Sequence, residues 1–401
     1  MKRAVSLFLA AALAGALLAG CSRNGASSST EEKGEAPADL TEIVLSDSGI
    51  TVDGQPVSTD ETAAVYTARD IVYYEDGQDF TYGAGTESDA HSQEEANAHT
   101  VVYITKPGTY SISGTLSAGQ VAVDLGEDAE TDPDAVVTLI LNGVDITCTV
   151  APAVIFYNVY ECDADFVAYD NEETDNYVSS PTVDTSAAGA NVILADGSVN
   201  NISGSYVARI YKEGTTKKLH KYDGAPYSKM SMNVDGGALG SVVLNITAEN
   251  EGLDSELHLT INGGNINILA GNDGINTNED GVSVTTINGG TLNVQVTGET
   301  GEGDGIDSNG WIVINGGTVI SSACSNSADS GLDSDNGIYI NGGTVVAGGN
   351  MYDAVDGGDQ TYAVFQFAQR RPDLHPEKRG GGDGAGNDSG QRLPVSGGFL
   401  S

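Results

Sequence analysis

Basic side chains are scarce in this sequence. Lys and Arg total 17 against 57 Asp and Glu, a net charge of −40. Between Met230 and Gln369 there is neither Lys nor Arg, yet that stretch holds eighteen acids. Such a balance excludes a nucleic-acid binder that works by neutralising phosphate. It also disfavours unaided contact with anionic lipid or anionic polymer. Aromatics are 6 % of residues, with one Trp, and the four Cys fit no zinc framework. Hydrophobic content of 39 % is too high for a disordered acidic chain. What is abundant is Gly, 53 of 401 residues, about twice the usual share. Thr, Ser, Asn, Val and Ile fill much of the rest, a mixture that reads as β-structure with many turns.

The ends carry an address. Met1-Lys2-Arg3 precedes an apolar run through Leu18, and Leu18-Ala19-Gly20-Cys21 follows. This reads as a signal peptide over 1–20 that resembles the bacterial lipoprotein type, with Cys21 lipidated at a membrane's outer face. Residues 21–40 read as a flexible tether. From 370 to 401, the Gly-rich composition predicts a disordered tail. Cys148 shares parity with Val144, Ile146 and Val150, which predicts a buried apolar role. A Cys148–Cys162 disulfide stays open, since spacing alone does not argue for it.

The organising feature is repetition. Ile-Asn-Gly-Gly recurs at 261–264, 287–290, 314–317 and 340–343, at offsets of 26, 27 and 26 residues. A second motif, Gly-Leu/Ile-Asp/Asn-Ser/Thr, recurs at 252–255, 274–277, 305–308 and 331–334, with a fading copy at 354–357. Short period-two runs lie between them. Less regular strand-like runs precede them at 101–104, 110–112, 121–125, 136–141 and 146–150. Several short strands per repeat, Gly turns and no helical period predict an all-β fold, a right-handed parallel β-helix over 41–369. One continuous solenoid core removes the two or three domains that the length alone suggests. The stretch 163–229 reads as an irregular insertion, with the basic cluster Lys212, Lys217, Lys218, Lys221 and Lys229 in a loop.

Each motif then has a role. Asn262, Asn288, Asn315 and Asn341 are expected to stack as a hydrogen-bonded ladder. In the second motif the apolar residue points inward and its acidic neighbour outward. Stacking at about 4.8 Å puts Asp254, Asn276, Asp307, Asp333 and Asp356 in one column. Glu251, Asp273, Asp304 and Asp353 flank it, with Asp280 and Asp335 just beyond. Neighbouring like charges at that distance repel by an order of 1 kcal/mol or more, and no basic side chain offsets them. Oxygen ligands at the repeat period predict bound calcium at Asp254, Asp273, Asn276, Asp304, Asp307, Asp333, Asp335, Asp353 and Asp356.

Catalytic constellations are thin. His91, His99, His220, His258 and His375 fit no metal or triad spacing and read as ordinary surface residues. A lyase would need a strong base beside the acidic cleft, and this half has neither Arg nor Lys. No catalytic residue is assigned. A sugar ring stacks on exposed aromatics, and Trp311, Tyr339 and Tyr352 are the outward candidates for carbohydrate contact.

The runs Pro107 to Leu116 and Leu139 to Ile146, with the two repeats, resemble the carbohydrate-binding β-helix proteins of clostridia and related bacteria. Those are related in fold to calcium-dependent pectate lyases. The resemblance covers roughly Val101 to Gln366. It implies calcium-dependent binding of an acidic, pectin-like polysaccharide or of cellulose, without cleavage. Many members carry a Ser-Lys-Asp-Asp run, of which Ser228-Lys229-Met230-Ser231 keeps only the first pair. The expectation is therefore a monomeric extracellular lipoprotein that binds polysaccharide. The alternatives are a calcium-dependent lyase, and a structural adhesin that contacts other proteins.

Overall fold

Each turn of the chain lays down three strands, and successive turns stack in parallel. A computed structural model describes residues 40–69, 71, 93–163, 166, 180–206, 222–236, 241–368 and 395–400, with Ala368 and 395–400 by backbone alone. The expected signal peptide, Cys21, nearly all of the tether, four of the five clustered lysines, and His91, His220 and His375 lie outside the described residues. The fold is a parallel β-helix. One coil runs from the strand Leu253–Ser255 to Leu259–Ile261, through the Asn262 turn to Asn265–Ala270, and then to Ile275–Thr277 on the next rung. These define three faces: a first face before the Asn turn, a second face after it, and a third that carries the acidic motif.

Period-two alternation is what makes the stack. On the first face, Tyr110, Leu139, Val192, Val234, Ile261, Ile287, Ile314 and Ile340 align strand to strand as one inward column. All are buried. On the second face, Ile146, Ile202, Ile246, Ile268 and Val294 do the same. Each such side chain contributes roughly 1.5–3 kcal/mol by leaving water. β-Branched residues suit the pleat because their χ1 is already restricted.

The Asn turn ladder forms as expected. Nδ2 of Asn288, Asn315 and Asn341 each donates to Oδ1 of the Asn one rung before, at 2.8 Å every time. The two glycines have different duties. The second, Gly290 for instance, sits at φ 85° in the left-handed region. The first is required by contact: a Cβ on Gly289 would lie 2.9 Å from the Asn262 carbonyl oxygen of the rung below. The fourth residue of the acidic motif points inward. Thr277 Oγ1 donates to Ser308 Oγ at 2.8 Å, and Ser334 Oγ donates to the Gly310 carbonyl at 2.7 Å. These hydroxyls satisfy the turn between the third and first faces.

Three expectations are corrected. The stretch 163–229 is not simply an irregular insertion, because Ala190–Leu194, Val199–Gly204 and Pro226–Ser228 form in-register strands. The tail is structured near its end, where Val395–Leu400 pairs antiparallel with Ala363–Ala368 and Thr344–Gly349. His99 and His258 are buried rather than on the surface. His99 ties the helix Gln93–Ala98 to the solenoid: one ring nitrogen bonds the Glu95 carbonyl and the other accepts the Thr149 N–H at 3.2 Å. His258 Nδ1 accepts the Val284 N–H at 3.1 Å, so its proton sits on Nε2, which meets Asp163 Oδ2 at 3.2 Å. Cys148 is buried as expected, burial pushing its thiol up to about 11. Cys148, Cys162 and Cys324 are free thiols.

Candidate cation-binding site

The third face carries the acids in register. Tyr227 pairs with Asp254, and Asp254 with Asn276. The Ile275–Ile306 bridge puts Asp307 above Asn276, and Asp307 pairs with Asp333. Four of the expected column members are thus brought together. Asp356 is not. Its motif has slipped, so that Val355 pairs with Ile338 on the first face. Asp356 is exposed, and its Oδ2 accepts the Ile338 N–H at 3.0 Å. Asp335 is exposed as well.

The flanking acids form a second line. Asp273 Oδ1 accepts the Asp304 N–H at 2.6 Å, Asp304 Oδ1 accepts the Ser330 N–H, and Asp353 Oδ2 accepts the Ser334 N–H at 3.2 Å. One oxygen of each carboxylate therefore pins a neighbouring rung, the following one for Asp273 and Asp304 and the preceding one for Asp353.

Burial is graded along the column. Asp254 is fully buried, Glu251 and Asn276 are 6 % exposed, Asp307 and Asp333 are half-buried. Parity sends Asp254 outward, but it is nevertheless shielded from water. Burial is the leading cause of every upward shift here, with neighbouring carboxylates adding to it. It holds Asp254, Glu251 and Asp273 well above the usual carboxylate range. It pushes Asp307 up to about 8, helped by Asp304 and Asp333, and Asp304 up to about 7. Asp333 and Asp353 are raised too. Asp329 shows the opposite balance. Burial raises it, but hydrogen bonds from Ser327, Cys324 and Gly303 outweigh that and hold it low.

At the buried end, one ligand atom each from Asp223, Glu251 and Asp254 lies within 4.8 Å of the others. Asn276 Nδ2 donates to Glu251 Oε1 at 3.1 Å, and Asn278 Nδ2 to Asp254 Oδ1 at 2.7 Å. With the carboxyls ionised, Glu251 Oε2, Asp254 Oδ2 and Asn276 Oδ1 find no hydrogen-bond donor among the described residues; without an ion, Glu251 and Asp254 pair only by sharing a proton. Buried carboxylate oxygens without a donor are costly. Calcium takes oxygen ligands at about 2.3–2.6 Å, so ligands on opposite sides of an ion stand about 5 Å apart. The oxygen-only donors, their spacing and the unpartnered oxygens all fit a hard divalent cation. Asp223 was missed from sequence because its rung carries no recognisable motif. The one available signal was Tyr227-Ser228, which occupies the Asp-Ser place of the repeat. Asn278 lies one residue past the repeat and had no signal.

The expected aromatic contacts are partly brought together. Trp311 and Tyr339 lie on the first face with ring centroids 6.0 Å apart and planes inclined by 48°. Both are half-buried. Tyr339 lies over Gly357, where a Cβ would come within 2.8 Å of the ring. Tyr352 is half-buried at the far end, next in sequence to Asp353.

The profile of the carbohydrate-binding domain-containing protein family matches residues 98–363, more than half of the chain. The chain belongs to that family. A carbohydrate-binding domain-containing protein of Acetivibrio thermocellus is 30 % identical over 169 residues, 42 % of this chain and 45 % of that one. The match thus spans less than half of that relative's length. A solved structure described as the polysaccharide lyase-like protein from C. thermocellum, gadolinium derivative, aligns over 76 % of this chain and 99 % of its own. Its identity is 20 % and its TM-score 0.43.

Proposed function

We propose that this chain is a non-catalytic, calcium-dependent receptor for acidic polysaccharide. Calcium on the third face neutralises the rungs and bridges to sugar carboxylates, which lets a strongly anionic protein hold an anionic polymer. The observation that carries this reading is the set of buried oxygens on Glu251, Asp254 and Asn276 that, with the carboxyls ionised, lack a donor among the described residues, in a stretch without Lys or Arg. Asp223, Glu251, Asp254 and Asn276 would hold the cation at the buried end. Asp273, Asp304, Asp307, Asp333 and Asp353 line the more open end, where a ligand carboxylate has room to complete a coordination shell. Trp311, Tyr339 and Tyr352 supply ring faces to the sugar. In this reading the lipid on Cys21 holds the domain at the outer face of a membrane, outside the cell.

The test is binding of polygalacturonate with calcium and with chelator, with absorbance of unsaturated products followed in the same mixtures. Binding in calcium, its loss in chelator, and no product are expected. Sustained product formation makes the chain a lyase. Absence of glycan binding in both conditions favours the adhesin.

A further inference from the structure

The two ends of the solenoid are closed in different ways. At the start, the strand Leu40–Leu45 is covered by Thr51–Val52, which pairs in turn with Gln55–Pro56. That outermost strand is two residues long and ends on Pro56, so it offers another chain little to pair with. At the far end, the last second-face strand Thr344–Gly349 is covered by Val395–Leu400, and that by Ala363–Ala368. Here the outermost strand is six residues long and has no Pro. Among the described residues it pairs with no strand but Val395–Leu400.

The side chains of this far edge do not protect it either. Val364, Phe365 and Phe367 are 37, 47 and 63 % exposed. No charged residue occurs from 360 to 369 or from 393 to 401. The Lys or inward-pointing charge that keeps an edge from pairing is therefore missing. Such an edge takes up an extended strand through main-chain hydrogen bonds.

Charge narrows the choice of strand. A partner recognised through its charge is drawn to the acidic third face of this −40 chain and not to an uncharged tip. Two copies of the chain repel wherever their acidic faces approach, and that repulsion is least when they meet tip to tip with their bodies pointing apart. A two-fold axis normal to the sheet sets the two edge strands antiparallel and keeps like faces together. Phe365 and Phe367, two apart on one strand, then meet their counterparts on one side of a continuous sheet. The blunted start of the solenoid limits the assembly to two copies, because it supplies no second edge for a filament. The two rings offer on the order of 200 Å² per copy, well short of the ~800 Å² per partner of a permanent interface. Main-chain bonds add to this, and the association is reversible.

We infer that Ala363–Ala368 is a dimerisation strand that joins two copies of this chain tip to tip through one antiparallel sheet, in place of the monomer expected from sequence. Such a dimer goes beyond polysaccharide binding and forms whether or not the third face holds calcium.

The test is sedimentation velocity in chelator, from about 1 to 100 µM protein. The wild-type protein is expected to shift from monomer to dimer across that range, with no larger species. Added salt is expected to strengthen the dimer, because it screens the repulsion between the two bodies. Phe365→Lys is expected to weaken it by at least about ten-fold with the melting curve unchanged, since the side chain is exposed. Phe367→Lys is expected to do the same and keeps the test decisive should Phe365→Lys misfold. Leu269→Lys, at an apolar side chain 40 % exposed on the second face away from the tip, is expected to leave the dimer intact. A wild-type monomer at every concentration overturns the inference. So does a dimer that needs calcium, that both Phe variants leave unchanged, or that Leu269→Lys dissociates, because the contact would then lie elsewhere on the solenoid.

Discussion

Asn278 Nδ2 donates to Asp254 Oδ1 at 2.7 Å, and Asp254 Oδ2, when ionised, has no donor among the described residues. Half of a fully buried carboxylate is thus satisfied by the rung above, and the other half is not. Asp254→Asn replaces the charge without changing the shape. In chelator the variant is expected to be more stable than wild type, by about 1–3 kcal/mol, because the buried carboxyl pair with Glu251, which must either take up a proton or bear a like-charge contact, is gone. Calcium is expected to raise the melting temperature of wild type but not of the variant. Thermal melts of both proteins with and without calcium check both signs.

The raised carboxylates give a pH dependence with a definite sense. Asp307 is pushed up to about 8 and Asp304 to about 7 in the folded protein, whereas unfolded Asp titrates near 3.9. The folded state therefore binds more protons than the unfolded state between these values. Stability from these groups is full below about pH 4 and is lost as pH rises through 7 and 8. In chelator, the melting temperature is expected to fall between pH 5 and pH 8.5, at about 2–4 °C per kcal/mol. Calcium, which replaces the protons, is expected to flatten that slope. A melting temperature that rises with pH in chelator would contradict the assignment.

Ser321 stands where the second-face column otherwise places Ile246, Ile268 and Val294. It is 1 % exposed, and its Oγ has no hydrogen-bond partner among the described residues. Gly305 packs against it so tightly that a Cβ there would fall 2.0 Å from that oxygen, which explains the small side chain. Ser321→Ala keeps the size and removes the unsatisfied hydroxyl. It is expected to stabilise the protein by about 1 kcal/mol, whereas Ser321→Val is expected to destabilise it by overpacking against Gly305. Urea unfolding of the two variants provides the comparison.

How much of this was legible before the fold was known follows from the residues. Asn262, Asn288, Asn315 and Asn341 are readable because period and motif coincide, and Asp254, Asn276, Asp307 and Asp333 inherit their register. Asp356 was misplaced because sequence similarity to the motif survives a slip in strand pairing. The burial of Asp254 was not readable, since parity tells which way a side chain points and not whether that side is covered. A second amide ladder, along Asn201, Asn245, Asn267 and Asn293 on the second face, escaped because these residues occupy ordinary outward strand positions, where nothing in the alternation sets an amide apart from any other polar residue.

A cation held among Asp223, Glu251 and Asp254 is what the proposed role depends on most. Equilibrium dialysis of chelator-stripped protein against calcium at neutral pH measures it directly. At least one tightly bound ion per chain is predicted, and Asp254→Asn is predicted to lose it. Dialysis in which wild type and Asp254→Asn retain no calcium, with melting curves that calcium leaves unmoved, would contradict the account.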